Sequence, residues 1–209
     1  MKKFTKMWAI AACALFAGTA AVNAEDYTWK FVTAGDATTY AIRSDGSLWS
    51  WGWNEKGQGG NGVSERTATP TLADGNRVWK KAVGGKAYGF FLAEDGSLWA
   101  AGTHEGGVQG TNDGIDHKVL TRIGTDNDWA DMACSRFWGY SGFAIKTNGT
   151  LWAWGKNSAG QLGIGNTQAQ TAPVQVGADM DWKQVAAGCS SVLALKTDGS
   201  LWGWGFNMY

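Results

Sequence analysis

The chain has 209 residues, with 18 basic and 18 acidic side chains, so its formal net charge is zero. Without clustered positive charge it is not built for nucleic acid or an anionic membrane surface. Thirty-one glycines, 14 tryptophans and only two prolines point to many tight turns between aromatic-rich strands rather than to a disordered or collagen-like chain.

Residues 1–24 read as an export leader. Lys2, Lys3 and Lys6 precede the apolar run Met7–Ala21, and Val22-Asn23-Ala24 supplies a small-residue cleavage site before Glu25. The run is shorter than the roughly 17–25 residues a spanning helix needs, so no membrane insertion is expected after cleavage. The expected location is secreted or periplasmic. Ile10-Ala11-Ala12-Cys13 offers the alternative of a lipoprotein anchored through Cys13. Removing 24 residues and three lysines leaves 209 − 24 = 185 residues with net charge 15 − 18 = −3.

Residues 25–209 are a tandem repeat. Asp45-Gly46-Ser47-Leu48-Trp49 recurs as Asp95-Gly96-Ser97-Leu98-Trp99, as Asn148-Gly149-Thr150-Leu151-Trp152 and as Asp198-Gly199-Ser200-Leu201-Trp202. Trp29, Trp79, Trp129 and Trp182 mark the unit starts, giving units 29–78, 79–128, 129–181 and a partial 182–209. From unit start to the tryptophan of the turn the spacing is 20, 20, 23 and 20, so unit three carries a three-residue insertion.

Within each unit an apolar run such as Tyr40-Ala41-Ile42 enters Asp45-Gly46, and Leu48-Trp49-Ser50-Trp51 leaves it, a strong hairpin signal. Trp49 and Trp51 share one face of their strand and Leu48 takes the other, so the sheet is apolar on both sides. Such a sheet needs a neighbour on each face, and radial stacking of blades supplies both. The expected fold is all-β: a β-propeller-type repeat protein with about three and a half blades, an incomplete propeller.

The third unit, from Trp154-Gly155-Lys156-Asn157 through Gly160-Gln161-Leu162-Gly163 to Gly165, resembles the repeat of the regulator of chromosome condensation family. So do Val185-Ala186-Ala187-Gly188 and Leu193-Ala194-Leu195-Lys196 in the fourth. Units one and two depart at Gly59 and Val108, and Thr103-His104 replaces the Lys-Asn type pair. The resemblance implies a propeller of roughly 50-residue blades. It also points to secreted bacterial members, among them a protein inhibitor of β-lactamases. The family's eukaryotic namesake acts in nucleotide exchange on a nuclear small GTPase, from which an export leader would separate this chain. Four front halves and three back halves leave three expectations: a piece of a longer propeller, an open arc or small ring, or two chains sharing a ring.

Shared residues serve the blade, so binding is expected where units differ. The insertion Arg136-Phe137-Trp138-Gly139-Tyr140-Ser141-Gly142 brings three aromatics and an arginine, residue types enriched at binding hot spots. The competing reading folds Trp138 and Tyr140 back as core. After the Trp-Gly or equivalent pair the units carry Trp53, Thr103, Lys156 and Phe206, a varied register expected at a loop mouth. The partner-binding candidates are therefore Arg136, Phe137, Trp138, Tyr140, Trp53 and Phe206. Cys134 and Cys189 are expected as two small buried residues, with a disulfide as the alternative.

No catalytic or metal-binding residues are assigned, and no cofactor. His104 and His117 are the only histidines and lack metalloprotease spacing, no nucleophile elbow surrounds Ser141, and Asn112–Asp116 reads as a turn before a calcium loop. The expected function is an exported protein-binding scaffold holding a protein partner on aromatic loops. The alternative is a carbohydrate or cell-wall binder stacking glycans on Trp53, Trp138 or Tyr140.

Overall fold

The computed structural model describes residues 28–207; the leader with its cleavage site and Cys13, and Met208 and Tyr209, lie outside the described residues. Among the described residues fifteen strands form four antiparallel sheets. Blade one holds β1 (Trp29–Ala34), β2 (Thr38–Arg43), β3 (Leu48–Gly52) and β4 (Thr67–Asp74). Blade two holds β5 (Trp79–Gly84), β6 (Tyr88–Ala93), β7 (Leu98–Gly102) and β8 (His117–Arg122). Blade three holds β9 (Trp129–Cys134), β10 (Ser141–Lys146), β11 (Leu151–Gly155) and β12 (Gln170–Gln175). Blade four has β13 (Trp182–Ala187), β14 (Ser191–Lys196) and β15 (Leu201–Gly205). Strand order follows the chain in every sheet, and among the described residues no sheet closes on itself.

The repeated turn is one residue longer than a two-residue hairpin. Arg43 N–H donates to the Ser47 carbonyl at 3.1 Å and Gly46 N–H to the Arg43 carbonyl at 2.9 Å, which encloses Ser44-Asp45-Gly46. That three-residue loop needs left-handed backbone only at its glycine, so an aspartate can precede it without strain. Asp45 accepts the N–H of Ser47 at 2.9 Å and its hydroxyl at 2.6 Å, and Ser47 Oγ accepts Trp49 Nε1–H at 2.8 Å. The same relay runs through Asp95, Ser97 and Trp99, and through Asn148, Thr150 and Trp152. The repeated motif therefore locks turn and tryptophan together by charge-assisted or amide hydrogen bonds.

Blades stack through faces of fixed register. Tyr40, Ile42 and Leu48 of blade one bury against Trp79, Ala82 and Phe91 of blade two. Phe90, Leu92 and Leu98 do the same toward Trp129, Met132 and Trp154, as do Phe143, Ile145 and Leu151 toward Trp182, Val185 and Val192. The end faces differ. Leu193 and Leu201 stand where Phe143 and Leu151 stand one blade earlier, and they are 52% and 67% exposed. Trp29 and Val32, the counterparts of Trp79 and Ala82, are exposed as well. Both prolines, Pro70 and Pro173, sit on outermost strands (β4 and β12), where a missing N–H costs no ladder bond and blunts the edge.

Candidate functional site

One end of the blades gathers the variable residues. The turns β1–β2, β5–β6, β9–β10 and β13–β14 lie there, and the residue after the third strand returns to each. Trp53 N–H donates to the Ala37 carbonyl, Thr103 N–H to Ala87, Lys156 N–H to Tyr140 and Phe206 N–H to Ser190, at 2.8 to 2.9 Å. This return needs glycine just before it. Gly155 has φ 96°, and a Cβ there would lie 2.3 Å from the Tyr140 carbonyl oxygen, a conformation and a space that only glycine fits. The variable register thus lies at the same end of the blades as the insertion.

The insertion crosses that surface. The amide of Phe137 donates to Asp36 Oδ1 in blade one at 3.4 Å, and Arg136 N–H donates to the Gly188 carbonyl in blade four at 3.2 Å. The ammonium of Lys86 in blade two stands over the ring of Trp138. One loop of blade three therefore touches the turns of the other three blades. Phe137 and Tyr140 adopt φ 52° and 44°, left-handed values uncommon for bulky residues and held here by those contacts.

The loop divides the candidates between two roles. Phe137 and Trp138 are each 61% exposed, and Arg136 is exposed beside them. Tyr140 is buried at 3% exposure, with its ring 5.9 Å from Tyr88 and 6.4 Å from Trp138. Tyr140 serves the core, its ring turned inward while the tip residues Phe137 and Trp138 stay exposed. Burial and the neighbouring Glu105 push its phenol up to about 12, so it stays neutral. Phe206 is 50% exposed beside Ser190. Trp53 is half-buried along an open groove with Ala37, Arg66 and Thr67, apart from the insertion.

Charge at this end is uneven. Asp36 is engaged by the Phe137 amide, and Glu105 lies beside Tyr140. Among the described residues Lys86, Arg136 and Lys156 form no ion pair, whereas Lys146 and Lys196 are each held between two aspartates, 2.6 to 3.1 Å away.

Elsewhere both histidines are engaged by aspartates. His104 Nδ1 and backbone N–H meet Asp116 Oδ1 at 2.7 and 2.9 Å, and His117 Nε2 meets Asp113 at 2.8 Å. Asp116 takes over the turn-holding work that Asn54 and Asn157 perform in blades one and three, which explains how Thr103-His104 is tolerated. No signal near His104 identifies Asp116, because it lies 12 residues on. Asp113 likewise accepts Thr111 and Ile115, so the Asn112–Asp116 stretch is a hydrogen-bonded turn. Among the described residues no group of three or more His, Cys, Asp or Glu could hold a metal ion. Cys134 and Cys189 are both free, and only Cys134, at the end of β9, is buried as expected; Cys189 is exposed because it lies in the β13–β14 turn rather than on a strand.

A family model described as regulator of chromosome condensation (RCC1) repeat matches residues 45–92 and 148–195, and a second model of the same repeat matches 29–58. The ultraviolet-B receptor UVR8 of Arabidopsis thaliana is 30% identical over 163 residues, covering 77% of this chain and 37% of the receptor. Among solved structures, yeast RCC1 (Prp20) bound to Kap60 superposes with TM-score 0.74 at 22% identity, over 87% of this chain and 44% of that one. Human WBSCR16 superposes with TM-score 0.73 at 20% identity, over 86% of this chain and 47% of that one. At such identity the superpositions establish the propeller fold alone, and the chain spans less than half the length of each of these three proteins.

Proposed function

The chain belongs to the regulator of chromosome condensation repeat family, and from that premise we propose that it is an exported protein-binding scaffold whose partner seats on the insertion-bearing end. The observation that carries this reading is the crossing loop: Phe137 and Trp138 stay exposed while the loop that holds them contacts turns of three other blades through two backbone amides and the Trp138 ring. Rigid aromatic anchors give large contact area with little entropy left to lose. Yeast Prp20 is known bound to Kap60, and a second Prp20p structure concerns its binding to Gsp1p and histones. Those partners belong to that protein; what supports the present reading is the use of such a propeller as a protein-contact surface.

A photo-crosslinking residue at Phe137 should capture a protein that the same group at exposed Leu72 on β4 does not capture. Equal capture at both positions would sink the reading. Glycan binding that vanishes in Phe137→Ala/Trp138→Ala, with no protein captured, would replace it by the carbohydrate alternative. Export itself is checked by N-terminal sequencing of the secreted product, expected to begin at Glu25.

A further inference from the structure

We infer that the partner presents an acidic segment to this surface, with its carboxylates on Arg136, Lys156 and Lys86 around an apolar residue that covers Phe137 and Trp138. The inference rests on the assignment of the insertion-bearing end as the contact surface.

The three cations come from three elements. Lys86 lies in the β5–β6 turn, Arg136 in the insertion and Lys156 directly after β11. All three residues lie at the insertion-bearing end because the loop is tied to each place. Lys86 stands over Trp138, Arg136 N–H is held by Gly188, and Lys156 N–H is held by Tyr140 at 2.8 Å. Lys156 also borders the loop after β7 in blade two, since a Cβ on Gly106 would lie 3.3 Å from its own Cβ.

These cations have no ion pair among the described residues, and the two carboxylates at this end face other groups. Asp36 accepts the Phe137 amide and Glu105 sits against Tyr140, and no carboxylate pairs with the three cations among the described residues. At the opposite end the arrangement is reversed: Lys146 packs on Trp129 and Trp152 and Lys196 on Trp182 and Trp202, each with two aspartates supplied by the chain itself. Lys86 over Trp138 is therefore a cation–aromatic pair of the same kind without its anion. A partner carboxylate there would complete it, gaining a charge-assisted contact where apolar burial has lowered the local dielectric. Complementarity of this kind chooses among partners more than it adds affinity.

The test is selection of a random twelve-residue phage-displayed library on the whole chain, with Phe137→Ala/Trp138→Ala as the comparison. Loop-dependent clones rich in Asp and Glu, weakened about tenfold or more by Arg136→Glu/Lys156→Glu and by raising salt across the Debye-screening range, are the result expected. Neutral or basic loop-dependent clones, or acidic clones indifferent to charge reversal, would overturn the inference and leave the contact surface standing. Clones that bind the double alanine variant equally well would overturn both. Circular dichroism on each variant separates lost binding from lost fold.

Discussion

Leu151 and Leu201 hold the same position of the repeat, directly after the turn, and differ completely in burial. Leu151 is fully buried between blades three and four, while Leu201 is 67% exposed on the far face of blade four. Leu151→Ala should cost about 2–5 kcal/mol, the range for a large-to-small change in a packed core. Leu201→Ala should stay within about 0.5 kcal/mol, as at other exposed sites. Urea unfolding of both variants checks the pair; equal losses would mean that the end face is covered in solution.

The glycines after the third strand and those of the following loop look alike in sequence and should differ in tolerance. Gly155→Ala places a Cβ 2.3 Å from the Tyr140 carbonyl at φ 96° and forces the return to the insertion apart. Gly160 has φ 70° with open space around it, so Gly160→Ala should cost only about 1–2 kcal/mol of left-handed backbone strain. Thermal melts should show the larger loss at Gly155; the reverse order would contradict the described return.

The turn carboxylates make stability pH-dependent. The Ser47 hydroxyl, then the Ser47 N–H, hold Asp45 below the usual carboxylate range, and Ser97 does the same to Asp95. A lowered folded value means that the unfolded chain takes up the proton first. The contribution is present above the ordinary carboxylate value of about 4 and is lost as pH falls through the folded value. Asn148 performs the same task without titrating. Asp45→Asn/Asp95→Asn should therefore flatten the fall in melting temperature between about pH 5 and 3. It will not abolish it, because Asp113 and Asp116 also sit low, burial being outweighed by their hydrogen bonds. An unchanged acid profile would remove the turns as its cause.

The two cysteines should separate by reactivity. Burial pushes the Cys134 thiol up to about 12, whereas Cys189 is exposed in its turn. Iodoacetamide on the folded chain should label Cys189 and spare Cys134, with both labelled in denaturant. Peptide mapping reads the result, and protection of both would indicate a bond between them or a covered β13–β14 turn.

The alanine pair at the loop tip tests the division of the insertion. Phe137→Ala/Trp138→Ala should change the unfolding free energy little, on the order of 1 kcal/mol or less, since both rings are 61% exposed. Tyr140→Ala should cost about 3–5 kcal/mol as a buried aromatic. A large loss from the tip pair would show that it is core, not contact surface.

By itself the sequence determined what is local and repeated. The Asp-Gly-Ser-Leu-Trp turns, the strands around them and the need of each sheet for a neighbour on both faces all follow from spacing and side-chain alternation. The insertion was legible as a departure from that spacing. The structure alone decided that Tyr140 turns inward while Phe137 and Trp138 point out. It also decided that Asp36, Lys86 and Gly188 hold the loop across the other blades, and that Lys156 stands beside it. The physical reason is range. A turn closes through bonds among neighbours in the chain, whereas these contacts join residues up to 101 positions apart and exist only once stacked blades bring their ends together.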